Sequence, residues 1–134
     1  MSHSNVVTCE KGWKDLYESI IEIIVDYDKR HFKAEDRIGV ESISEVDGGM
    51  QVKVVNEKNL TSGIRDEILI REHESFNICE FCGTKTSVGT TMNNDFKTCC
   101  KSCWESNILN KQEDSIWKEY STNKCYKKAE NNGK

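Results

Sequence analysis

The chain contains no proline. Its turns must therefore rest on Gly, Asn and Asp, and no helix is stopped by a fixed ring. It also lacks a long apolar run. The longest, residues 20–25, is interrupted by Glu22, and a membrane-spanning helix needs about 20 apolar residues. The first residues, Met-Ser-His-Ser-Asn, show no basic stretch followed by an apolar core. The expectation is a cytoplasmic chain with no membrane partner. A basic excess is missing too, since 19 Lys and Arg stand against 23 Asp and Glu, a net charge of -4. That balance weighs against a grip on DNA or RNA built mainly on phosphates.

Catalytic signatures are absent as well. There is no HExxH, no Gly-rich phosphate loop and no nucleophile elbow. No His-x-Glu stands beside a cysteine pair, as it does in zinc deaminases. Asp26, Asp28 and His31 lie close in sequence, with His73 further on. Yet Asp26 and His31 are five apart on a helix and do not share a face. A binding protein is expected, not an enzyme.

What is present fits one soluble domain: 134 residues, 36% hydrophobic and 31% charged. Residues 12–32 read as an amphipathic helix, with Trp13, Leu16, Tyr17, Ile20, Ile24 and Tyr27 at helical spacing. Asp15, Glu18, Glu22 and Asp26 recur on its opposite side, spaced three, four and four. They form either a solvated face or an acidic docking surface for a basic partner. Residues 38–46 and 50–55 alternate as two strands, and Asp47-Gly48-Gly49 between them signals a hairpin. Thr61 or Ser62 is placed to cap a second helix running to Phe76, with Ile64, Ile68 and Leu69 as its apolar side. Residues 104–109 read as helical, and a further short helix is expected over 113–120.

The seven cysteines carry the sharpest signal. An odd count in a reducing compartment points to metal before disulfides. Cys79 and Cys82 are separated by two residues and followed by Gly83, which lets the backbone turn its amides toward the sulfurs. Cys100 and Cys103 repeat the spacing after a spacer of 17 residues. Two such pairs at about 15 to 20 residues read as a zinc site. Four thiolates suit one structural Zn2+ and close its coordination sphere. An iron–sulfur cluster would use the same four ligands. Cys99 adjoins Cys100 and competes with it, but only Cys100 keeps the two-residue spacing to Cys103. Cys9 and Cys125 stand alone and read as ordinary thiols. The spacer reads as a hairpin with a polar tip at Asn93, Asn94 and Asp95. The second pair runs into Trp104 without a glycine, which suggests a helix start and a treble-clef-like finger instead of a symmetric ribbon.

Gly12-Trp13, Gly48-Gly49, Ile64, Ile68, Glu72, Ser75, Cys79-Glu80, Cys82-Gly83, Thr98 and Cys100 occur in an order that resembles a family of small bacterial and phage zinc-finger proteins. The resemblance covers residues 12–103. Members close their motif with His where this chain has Cys103, and both are zinc ligands. The family carries no agreed activity, so the resemblance implies a fold and a metal, not a reaction.

Together these features predict a single α+β domain: helix, two-stranded β-hairpin, helix, four-cysteine zinc finger and C-terminal helical extension. Residues 1–78 would form the first portion, 79–103 the finger packed in the same domain, 104–126 the helical extension and 127–134 a disordered tail. The expected function is a zinc-stabilised protein–protein binding module, most concretely an immunity protein that neutralises a basic bacterial toxin. Its predicted partner surface is Asp15, Glu18, Glu22 and Asp26 together with Asn93, Asn94 and Asp95. The alternative is a zinc-finger protein acting on nucleic acid or on a host defence complex.

Overall fold

The structure, a computed structural model, describes residues 6–92 and 95–128. Lys11–Trp13 forms a short helical turn that leads into α1, Lys14–His31. Leu16, Ile20, Ile21 and Ile24 are buried on one face of α1, as the apolar spacing predicts. Its last turn carries Lys29, Arg30 and His31, which complement the negative end of the helix dipole.

One carboxylate that looks like part of the acidic stripe has another role. Asp28 is buried. Its two oxygens accept the N–H groups of Ile38 at 2.8 Å and Gly39 at 3.0 Å. This fixes the chain where it leaves α1 and enters the hairpin. An alanine there leaves the buried Ile38 N–H unpaired, at about 1 to 3 kcal/mol, and frees the half-buried Gly39 N–H as well. Asp28→Ala should therefore lower the urea midpoint markedly, while Asp26→Ala, on an exposed residue, should not.

Strands β1, Val40–Val46, and β2, Gly49–Val54, pair antiparallel with Val46 opposite Gly49. The two-residue turn Asp47-Gly48 has φ of 51° and 88°, the positive pair that a tight hairpin turn of this hand requires. Val7 bridges to Ile43 in parallel on the outer side of β1. On β2, the N–H of Met50 donates to Ser75 Oγ and that of Val52 to Glu72 Oε2. Side chains thus cover a strand edge that would otherwise be open to pairing. Glu72 belongs to α2, Ser62–Glu74, whose first turn is capped by Thr61 Oγ1 accepting the Ile64 N–H. Ile68 is buried against the hairpin, but Leu69, expected on the apolar side of the helix, is exposed. Trp13, Ile20, Ile24, Ile38 and Ile43 form the centre of this first core.

The C-terminal part departs from the sequence expectation. β3, Val88–Thr91, and β4, Thr98–Cys100, form the expected hairpin of the spacer, and α3, Lys101–Cys103, continues into a wide helical turn at Trp104–Leu109. The helix expected over 113–120 is instead a strand. β5, Ile116–Glu119, pairs antiparallel with β3, and β6, Cys125–Lys127, pairs with β5. The sheet order is β4-β3-β5-β6. Ile116, Trp117 and Tyr120 match a helical spacing, yet Ser115 and Trp117 are the buried pair, a period of two. The free edge of β3 supplies ladder partners, and this tertiary context overrides local propensity. The extension is therefore helical only at Trp104–Leu109, as expected, and its remainder is a β-hairpin added to the finger. Lys127, expected in a tail, lies in β6, and residues 129–134 of that expectation fall outside the described residues.

The second core is small and aromatic. Trp104 and Trp117 stack with ring centroids 6.0 Å apart, and Tyr126 packs on Trp117. All three tryptophans of the chain are buried and each places its indole N–H: Trp13 on Ile78 O, Trp104 on Ser115 Oγ, Trp117 on Cys99 O. Among the described residues no helix is long and apolar enough to cross a membrane.

Candidate metal centre

Two elements bring four sulfurs together. In the first, the chain turns tightly after Ile78. The Gly83 N–H donates to Cys79 O and the Cys79 N–H to Thr84 O, both at 2.9 Å. Gly83 sits at φ +85° in that turn. In the second, Cys100 ends β4 and caps α3, with the Cys103 N–H pointing at Cys100 Sγ at 3.5 Å. The helix start expected from the missing glycine is therefore present.

The sulfurs of Cys79, Cys82, Cys100 and Cys103 all lie within 4.8 Å of one another. Those of Cys82 and Cys100 are 3.8 Å apart. A tetrahedral ion with bonds of about 2.3 Å to sulfur has edges of about 3.8 Å. No cysteine of the set is in a disulfide. Four residues at this separation can hold one metal ion, and four protein ligands leave a tetrahedral ion no open position. Cys79 and Cys100 are buried, Cys103 is half-buried and Cys82 is exposed.

The electrostatics fit a cation. Burial pushes the Cys79 thiol up, but the N–H groups of Cys100, Cys82 and Phe81 outweigh it and hold the thiol below its ordinary value. Burial pushes Cys100 up against the opposing pull of the Cys103 N–H and thiol, and it pushes Cys103 up with the sulfurs of Cys100, Cys79 and Cys82 adding to it. A divalent ion among the four reverses that balance and deprotonates the thiols it binds.

Cys99 is resolved by strand geometry. Neighbouring residues on a strand face opposite ways. With Cys100 turned to the sulfur cluster, Cys99 falls into the aromatic core beside Trp104 and Trp117. Burial, followed by the charges of Cys79 and Cys100, pushes its thiol well above the usual range. It is a core residue. Cys9 is likewise held as a thiol, pushed up to about 12 by burial and then by Glu80, Glu45 and Glu10. Cys125 is exposed and apart from the cluster.

The knuckle is bound to the first half of the molecule by its backbone. Gly12 N–H donates to Glu80 O at 2.7 Å, Trp13 Nε1 to Ile78 O at 2.9 Å, and Glu80 N–H to Thr98 O at 3.0 Å. Thr98 Oγ1 donates in turn to Gly48 O in the first hairpin, and Lys97 Nζ pairs with Glu45 at 2.7 Å. The Gly12-Trp13 and Gly48-Gly49 pairs of the sequence therefore meet the metal half directly.

Of the other predicted site residues, Asp15, Glu18, Glu22 and Asp26 are all exposed along α1. Asp26 pairs with Arg30, while Asp15, Glu18 and Glu22 make no ion pair among the described residues. Asp95 is exposed, and Asn93 and Asn94 lie outside the described residues. Nothing brings Asp95 together with the α1 stripe into one site. His31 is exposed and packs with a tilted ring against Tyr27, and Asp28 is spent on backbone donors, so among the described residues those two do not meet in a carboxylate–histidine site.

Sequence reasoning did not single out Glu80 as a site residue. It is only 3% exposed, and its Oε2 accepts the Glu10 N–H at 3.3 Å. Its Oε1 has no hydrogen-bond partner among the described residues. Burial raises the pKa of this carboxyl. The signal in the sequence was its place inside the Cys-Glu-x-Cys run.

Comparison of the chain with protein-family models, with curated proteins and with solved structures gives no match.

Proposed function

We propose that the protein is a protein–protein binding module stapled by one structural zinc ion, and that its partner is basic. The observation that carries the reading is the exposed carboxylate row on α1, whose opposite face is anchored in the core. Such a row on a rigid helix speeds and orients capture of a positively charged surface. An immunity protein against a basic toxin is the most concrete form. Zinc is preferred to an iron–sulfur cluster because one tetrahedral ion accounts for the 3.8 Å sulfur separation. The knuckle, hairpin and helix start support a treble-clef-like finger. The resemblance to the small bacterial and phage zinc-finger proteins supports the metal and leaves the partner to the α1 surface.

Nucleic-acid binding is less favoured. The finger's three lysines are engaged: Lys97 with Glu45, Lys85 with Glu74 and Lys101 over the Tyr126 ring. Of the two candidates for base stacking, Trp104 is 1% exposed and Phe81 is half-buried, which leaves no pair of open rings for successive bases. A phosphate grip needs free cations and a base platform needs an open ring face.

The test is a pull-down from the native cell with the wild type and with the triple variant Glu18→Lys, Glu22→Lys, Asp26→Lys. The variant should keep its circular dichroism spectrum and lose the captured protein. Retention of the partner by the variant, or a salt-sensitive oligonucleotide shift with no protein captured, would contradict the proposal.

A further inference from the structure

A cavity of about 460 Å³ lies where the two halves meet, lined in part by Glu10, Glu45, Glu80, Phe81, Lys97 and Ile108. Its charge is unbalanced. Lys97 is taken by Glu45, whose other oxygen accepts the Gly48 N–H. Glu10 and Glu80 then face the cavity without a salt bridge among the described residues, and the Lys97 charge reaches Glu80 only from beyond ion-pair distance. Glu80 adds the independent observation, because its Oε1 is buried and lacks any donor. A buried acceptor left unpaired costs free energy that an incoming donor recovers. Phe81 and Ile108, both half-buried, give the cavity an apolar wall.

The geometry points to a pocket for an arginine side chain of a protein partner. A guanidinium offers several N–H donors in a plane and matches carboxylates better than an ammonium does. Its aliphatic stem suits the Phe81 and Ile108 wall, and its flat face suits the Phe81 ring. A metal ion is the poorer occupant. Among the described residues only the four cysteines gather closely enough to share one. The inference deepens the proposed function, since it rests on a protein partner and names one group of it.

The probe is N-acetyl-L-arginine methylamide, titrated into the zinc-loaded full chain and followed by amide chemical shifts. Saturable shifts are expected at Glu10, Glu45, Glu80, Phe81 and Ile108, and none from the neutral citrulline analogue. Glu80→Gln should weaken binding by about tenfold, or about 1.4 kcal/mol. Because Glu80 is buried beside a cysteine ligand, Glu10→Gln at an exposed position serves as the second variant. It should weaken binding without altering the metal content. No saturable shift, equal shifts from citrulline, or shifts mapping elsewhere would overturn the pocket. Capture of a protein that tolerates both substitutions would also overturn it while leaving the protein-partner reading standing. Arginine binding with no protein captured supports the pocket and removes that reading.

Discussion

Cys79→Ser should lose the metal and, with it, the cooperative unfolding of the second half of the molecule. The aromatic core there is built on few residues: Cys79, Cys99, Cys100, Trp104 and Trp117 are its buried members. Its strands run only three or four residues each. Short strands around so little apolar surface are marginal without a staple. Structural zinc in finger peptides contributes about 10 to 16 kcal/mol at neutral pH, and that binding energy is folding energy. Cys79 is also the ligand whose turn carries the contacts with Gly12 and Trp13, so loosening it exposes the seam. Tryptophan fluorescence reads the outcome directly, because Trp104 and Trp117 sit in this core and Trp13 at the seam. Cys125→Ser should leave the transition where it was, since Cys125 is exposed and outside the cluster. Equal stability of the two variants would remove the structural role of the sulfur set.

Gly12→Ala should cost about 3 kcal/mol, the upper part of the range for overpacking a tight site. A Cβ on Gly12 would overlap the carbonyl oxygens of Cys79 and Glu80. Both atoms are backbone, so no side chain can rotate away. The knuckle would have to shift, and two bonds go with it: Gly12 N–H to Glu80 O and Trp13 Nε1 to Ile78 O. Gly63→Ala is the matched control. Nothing lies within 4 Å of a Cβ there, and the residue is in the first turn of α2. Alanine should be neutral or slightly stabilising at that site, because it is the better helix former. Thermal unfolding of the two variants separates close approach from backbone propensity. A Gly12→Ala protein as stable as Gly63→Ala would contradict the seam.

These expectations trace back unevenly to the sequence. The first helix, the hairpin with its Asp47-Gly48 turn and the Thr61-capped helix were all legible, because periodicity and turn chemistry are local signals. The four-cysteine set was legible for the same reason: its spacing is short-range. The strand at Ile116–Glu119 was not. Its state is decided by the open edge of β3, whose residues pair with it from 26 to 30 positions earlier in the chain. Glu72, Ser75 and Asp28 were also read only in part. Each is a polar residue whose meaning lies in a distant backbone donor, Val52, Met50 or Ile38. Periodicity sorts residues into inner and outer faces, but it does not find partners. The same limit hid the cavity at the junction, which takes residues from the N-terminal segment, β1, the knuckle and the Trp104–Leu109 turn.

The metal ion is the claim on which the rest stands, and native mass spectrometry of the purified full chain tests it most directly. The expected result is one zinc ion per chain, displaced by a strong chelator together with the fluorescence change of the buried tryptophans. A folded chain carrying no metal, or one whose bound metal proves to be iron with a cluster absorption in the visible, would contradict the account.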